Sequence, residues 1–194
     1  MNDIKVKNNG MAAYRGHRNR ENGAAFEGLI EDSLEWYEEK GIAKVEKTPE
    51  PMRPLSKPNR RGQFLACYTK QAQADYSGTM SDGRSVRFEA KQTDTDRFPF
   101  GRLTKNQRDN LDTHQHMKAL CFVLLCFGTD RFYRVPWGVW KNMKTIYGHM
   151  YVTEADIHTY RIPFDGGVIR IFGPVNGEGS KMKGVSDGKS QHCT

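Results

Sequence analysis

Between residues 24 and 40 the apolar side chains return to one helical face: Phe26, Leu29, Ile30, Leu34 and Tyr37 fall at offsets 0, 3, 4, 8 and 11. The spacing predicts an amphipathic helix from Ala24 to Lys40, and Gly41 stands where a left-handed stop is expected. Beyond it the period shortens to that of strands. Ile42 to Lys47, residues 63–69, residues 73–80 and Arg84 to Lys91 read as strands, the last two joined by a Ser81-Asp82-Gly83 turn. Thr104 opens a second helix running to about Lys118. Leu120 to Phe127 is apolar throughout, as in the middle strand of a sheet covered on both faces, and Gly128-Thr129-Asp130 turns it into a strand at Arg131 to Val135. A short helix is expected from Pro136, another after Thr153, and a last strand at Ile169 to Phe172. This order predicts an α/β fold with a mixed central sheet flanked by helices.

Composition removes several classes. The longest apolar run, Leu120 to Phe127, is far shorter than the ~20 residues a membrane-spanning helix needs. The opening Met-Asn-Asp-Ile-Lys-Val-Lys holds no apolar signal core, so a cytoplasmic location is expected. Cys67, Cys121, Cys126 and Cys193 make no C-x-x-C pair and no zinc spacing. Cys121 and Cys126, five apart on one strand, point to opposite faces and read as buried thiols.

The placement of charge narrows the partner more than the net charge of +7 does. From Lys47 to Gln71 six bases (Lys47, Arg53, Lys57, Arg60, Arg61 and Lys70) face one acid, and four of the eight prolines lie in the same window. Proline removes a ladder donor and favours extended backbone before it, so Thr48 to Asn59 reads as an extended, exposed excursion. A second basic group, Arg15, Arg18 and Arg20, lies in a Gly/Asn-rich segment, and residues 1–22 are expected to form a flexible basic arm. Gly, Ser and Lys dominate after Pro174, which predicts a disordered tail over 174–194 and leaves 23–173 as one folded domain. Two basic segments interleaved with Tyr14, Phe64 and Tyr68 point to nucleic acid as the partner.

Candidate chemistry gathers in Ala74-Asp75-Tyr76-Ser77-Gly78 and Arg87-Phe88-Glu89-Ala90-Lys91. Strand alternation puts Val86, Phe88 and Ala90 on one face and Arg87, Glu89 and Lys91 on the other. Asp75 lies opposite Glu89 if the hairpin closes through a three-residue loop, Ser81 to Gly83, with Gly83 left-handed; a two-residue loop would pair it with Ala90 instead. Two converging carboxylates repel unless a cation joins them, and magnesium favours one or two carboxylates plus water and substrate phosphate. A lysine beside that ion can neutralise charge developing on a phosphoryl centre, which makes the set the minimum equipment for metal-assisted phosphodiester hydrolysis. Glu-x-Lys on an exposed strand is also an ordinary pattern. Gln107 lies three residues after Thr104 and fits a helix capping box, and Glu27 fits a first-turn acid.

At these residues the sequence resembles the PD-(D/E)xK nucleases and, more narrowly, the RecU Holliday junction resolvases. The supporting runs are Asn22-Gly23-Ala24-Ala25-Phe26-Glu27, Ala74 to Gly78, Phe88-Glu89-Ala90-Lys91, Gln107, Cys121-Phe122-Val123 and Tyr160-Arg161-Ile162-Pro163, across roughly residues 15–173. The resemblance implies a restriction-endonuclease-like core and a magnesium- or manganese-dependent endodeoxyribonuclease, a homodimer that nicks four-way DNA junctions symmetrically. It assigns Asp75 and Glu89 as metal ligands, with Ala90 and Gln107 at the metal site, Lys91 as transition-state stabiliser and Glu27 in support. It also implies a basic stalk entering the junction centre. The Thr48 to Lys70 excursion matches its position, with Lys57, Arg60, Arg61 and Lys70 as phosphate contacts beside Arg15, Arg18 and Arg20. Two other readings remain: the same chemistry on other branched or duplex DNA, and a non-catalytic DNA-binding recombination factor.

Overall fold

The computed structural model describes residues 3–49, 51–68 and 73–173. Helix α1 (Asp3–Glu39) leads into β1 (Ala43–Lys47), a small ribbon of β2 (Met52–Pro54) and β3 (Ala66–Tyr68), then β4 (Tyr76–Met80), β5 (Ser85–Thr93) and β6 (Arg97–Pro99). Helix α2 (Lys105–His116) precedes β7 (Leu120–Phe127) and β8 (Arg131–Pro136), followed by α3 (Trp137–Lys141), α4 (Met143–Tyr147), β9 (Tyr151–Thr153), β10 (Arg161–Ile162), β11 (Phe164–Asp165) and β12 (Val168–Ile169). Six strands form the main sheet in the order β1-β4-β5-β7-β8-β10. All neighbours are antiparallel except β5 and β7, which run parallel with α2 as the crossover between them. The fold is therefore a mixed α/β sandwich.

Each face has its own core, and the strand period decides which side chain joins which. The stripe predicted on the first helix, Phe26, Ile30, Leu34 and Tyr37, packs with Val45, Val86, Phe88, Phe122, Leu124 and Cys126. On the other face Cys121, Val123, Leu125 and Phe127 meet Leu103, Leu111, Trp137 and Trp140. Cys121 and Cys126 thus serve opposite cores, and β7 is buried on both sides, as its continuous apolar run predicts. Ser33 ties α1 to β12: its Oγ donates to the Leu29 carbonyl at 2.6 Å and accepts the Ile169 N–H at 2.9 Å.

Register in the centre of the sheet is pinned by stacked rings. Tyr76, Phe88 and Phe122 lie opposite one another on three adjacent strands, with centroids 4.8 and 4.7 Å apart and ring planes within 9° and 11°. At Gly78 a Cβ would lie 2.0 Å from the Lys44 carbonyl oxygen, so glycine lets β1 close onto β4.

Three sequence expectations change. The first helix begins at Asp3, so residues 3–22, expected to belong to a flexible arm, have helical backbone. No proline precedes Pro49, and the two glycines of that stretch, Gly10 and Gly16, each cost only about 1 kcal/mol against alanine. After Thr153 there is a 3-10 turn, His158–Tyr160, rather than an α-helix, because Arg161 must already pair with Tyr133 in the sheet. The last strand is the short β12, paired with β11, instead of Ile169 to Phe172. The tail over 174–194 lies outside the described residues.

Candidate active site

The hairpin of β4 and β5 closes through the three-residue loop on which the placement of Asp75 depends. The Met80 N–H reaches the Arg84 carbonyl at 2.8 Å, the Gly83 N–H reaches the Met80 carbonyl at 2.9 Å, and Gly83 has φ of +85°. The pairing Tyr76 with Phe88 follows, and one residue before the start of β4 Asp75 comes level with Glu89. The Asp75 backbone is held there by the Thr48 N–H on its carbonyl at 2.9 Å.

Glu89 and Lys91 project from β5 to the α2 side while Val86 and Phe88 fill the α1 core. The Lys91 Nζ donates to Asp75 Oδ2 at 2.7 Å and to Glu89 Oε2 at 2.9 Å, so one ammonium joins both carboxylates. The same Asp75 oxygen accepts the Ala90 backbone N–H at 3.1 Å. Gln107 completes the cluster: its Nε2 donates to Glu89 Oε2 at 2.5 Å, while its Oε1 accepts the Thr104 N–H at 2.9 Å. The helix cap and the contact with Glu89 therefore coexist, because each uses a different end of the amide.

Glu89 is fully buried. Burial pushes its carboxyl up to about 8; the Lys91 ammonium pulls the other way and the Asp75 charge adds to the rise. Burial also works against the Lys91 charge, but the two carboxylates outweigh it and hold the ammonium above its ordinary value. Glu89 Oε1 is buried with no hydrogen-bond partner. A lone acceptor of this kind costs about 1–3 kcal/mol unless something positive meets it. Among the described residues no group of three or more His, Cys, Asp and Glu side chains is arranged to hold a metal. The groups at this point are two carboxylates beside the Ala90 main chain, with no His or Cys among them, a hard-oxygen set that fits magnesium and does not fit zinc.

The other expected site residues divide. Glu27, half exposed on α1, accepts from the Lys47 Nζ at 2.7 Å and touches neither Asp75 nor Glu89; Lys47 in turn feels the Asp75 charge. Arg15, Arg18 and Arg20 lie along α1, and Lys70 lies outside the described residues. Lys57, Arg60 and Arg61 stand on the exposed excursion, which is a narrow antiparallel ribbon pairing Met52 with Tyr68 and Pro54 with Ala66. Its tip is shaped by Asn59, whose Oδ1 accepts the N–H groups of Arg61 at 2.9 Å and Gln63 at 3.0 Å. Met52, Leu55, Phe64 and Leu65 on this ribbon are exposed as well, an apolar content that reading the segment for charge passes over.

A family model described as RecU, Recombination protein U, matches residues 21–165. A protein of Streptococcus sanguinis named Holliday junction resolvase RecU is 32% identical over 114 residues, 56% of this chain and 56% of its own length. Its namesake from Streptococcus gordonii is 31% identical over 154 residues, 70% of this chain and 76% of its own. The chain thus spans little more than half the length of the first of these relatives. Among solved structures, Archaeoglobus fulgidus Hjc, described as a Holliday junction resolvase, overlays 69% of this chain and 89% of its own with a TM-score of 0.43 and 12% identity. With its family model running over well more than half of the sequence, the chain belongs to the RecU family of recombination proteins.

Proposed function

We propose that this protein is a metal-dependent endonuclease that binds four-way DNA junctions and resolves them by paired, symmetric phosphodiester hydrolysis. The observation that carries the reading is the buried cluster of Asp75, Glu89, Lys91 and Gln107 with its orphaned Glu89 oxygen. Names of the relatives support the choice of substrate.

Asp75 and Glu89 would hold magnesium or manganese, with the Ala90 main chain beside them. The bound ion would supply Lewis-acid polarisation of the scissile phosphate and of the attacking water. The chain's own groups do the rest. The Ala90 N–H fixes the Asp75 carboxylate, and the Gln107 amide, itself clamped by the helix cap, fixes Glu89. Lys91 keeps a positive charge in a largely buried position, where it counters charge growing on the phosphoryl oxygens. Gln107 is thus a positioning residue and Lys91 a catalytic one. Paired nicks on a symmetric junction require two copies of the site, so the working form is a homodimer, acting on DNA in the cytoplasm. No described helix is long and apolar enough to cross a membrane.

The test is cleavage of a synthetic mobile four-way junction and of linear duplex with magnesium present, with product mapping on all four strands. Nicks at symmetric positions on two opposed strands, much faster than any cut in duplex, are expected. Equal cleavage of duplex would move the substrate to DNA in general, and absence of metal-dependent cleavage would reject the nuclease reading.

A further inference from the structure

The stretch that leads from the catalytic strand into α2 carries a second set of cations. Residues 97–108 include Arg97, Arg102, Lys105 and Arg108 and no acid. Three of these are laid over aromatic rings: the Arg97 guanidinium lies 5.6 Å from the Tyr151 ring centre, Arg102 lies 5.2 Å from that of Phe98, and Arg108 lies 4.9 Å from that of Phe100. A ring face holds the guanidinium plane in place and leaves its N–H edges for an oxyanion.

The rings are themselves fixed. Phe98 is buried and meets Trp140 at 5.8 Å, and β6 is zipped to β9 through the pairs Phe98 with Val152 and Pro99 with Tyr151. Not every cation is available. Arg108 spends an N–H on the Leu103 carbonyl, and the Lys105 Nζ is paired with Asp109 at 2.5 Å. Arg97 and Arg102 are exposed; among the described residues the ion pair of Arg97 is a loose contact of 3.7 Å with Asp96, itself almost fully exposed. Two residues after Arg102 comes Thr104, the cap whose partner Gln107 touches Glu89, so the strip runs into the rim of the active site.

We propose that this ring-held strip, through Arg97 and Arg102, grips the phosphates of the duplex arm that lies across the active site. The proposal rests on the nuclease reading above and adds a contact that the basic ribbon of residues 51–68 does not provide. A grip beside the cleavage centre meets an ordinary duplex arm, so it acts on linear and branched DNA alike.

Binding of the full-length chain to a four-way junction and to a linear duplex of one arm's sequence, titrated with salt in the absence of divalent ions, tests it. In the Arg97→Ala/Arg102→Ala variant the slope of log affinity against log salt is expected to fall by about 2 on both DNAs, since each lost phosphate contact removes ~0.9. Arg97→Lys/Arg102→Lys keeps the charges and is expected to recover the slope; Arg84→Ala, an exposed arginine at the distant hairpin turn, is expected to match the parent. A parental slope in the double-alanine variant overturns the proposal, and so does failure of the lysine variant to recover it, which would mark the effect as structural. In either case a parent chain that cleaves the junction leaves the nuclease reading standing. A parent chain that neither binds nor cleaves DNA overturns both.

Discussion

The proposed catalytic cluster and the basic ribbon are both rich in charge, yet they handle it in opposite ways. At the cluster, four polar side chains are drawn into the α2 side of the sheet, Asp75 Oδ2 and Glu89 Oε2 share the Lys91 ammonium, and Glu89 is withdrawn from solvent altogether. On the ribbon, residues 52–65 are all exposed and the cations Lys57, Arg60 and Arg61 make no ion pair among the described residues. Desolvation makes the first region chemically unusual, because a buried carboxylate wants either a proton or a metal. The second region stays chemically ordinary and, on the proposed reading, would work through charge and reach alone. Substitutions in the cluster should therefore alter reaction and titration, and those on the ribbon should alter only binding.

The largest separation comes from Asp75→Asn and Lys91→Ala. Each is expected to lower single-turnover cleavage by about 10³-fold or more while junction binding in a gel-shift or anisotropy titration stays near the parent's. Next is the pH dependence of stability. With the folded Glu89 carboxyl raised from its ordinary 4.5 to about 8, the folded chain holds a proton that the unfolded chain has released. The resulting stabilisation is complete below about pH 4.5 and is lost as pH climbs through about 8, so the metal-free protein is expected to lose roughly 2–4 kcal/mol across that window. Urea melts at pH 5 and pH 8 check this, and Glu89→Gln should flatten the difference.

The two roles of Gln107 give a smaller effect that can be divided. Thr104→Ala removes the hydroxyl that accepts the Gln107 N–H at 3.3 Å and should cost about 1 kcal/mol with cleavage nearly intact. Gln107→Ala should cost as much stability and also slow cleavage, since Glu89 loses its amide partner. The smallest effect on folding belongs to the ribbon. Arg60→Ala/Arg61→Ala should leave stability within about 0.5 kcal/mol of the parent while lowering the salt slope of junction binding by about 2. A large loss of stability there would erase the contrast between the regions.

Much of this arrangement is readable in the sequence, for identifiable reasons. Period-2 and period-3.6 patterns place the first helix stripe, the doubly buried β7 and the shared face of Glu89 and Lys91, whereas the burial of Glu89 on that face comes from α2 packing over it. Gly83 makes the three-residue turn, and with it the Asp75 position, a condition that can be stated before any coordinates. What escapes is long-range. The helical backbone before Ala24 follows from an absence of breakers rather than from an apolar stripe. That one glutamine amide caps α2 and also holds Glu89 depends on how the crossover lays its N-terminus against β5. The arginines at 97, 102 and 108 are scattered singly among aromatics, and only the pairing of β6 with β9 gathers their rings.

The most direct measurement is the proton count on divalent-ion binding, by calorimetry at pH 7 in buffers of different ionisation enthalpy. If Glu89 keeps its proton until a cation replaces it, manganese or magnesium binding should release close to one proton per chain, and Glu89→Gln should abolish that release. Ion binding that releases no proton, or that is unchanged by the substitution, would contradict a buried carboxylate pair as the metal centre.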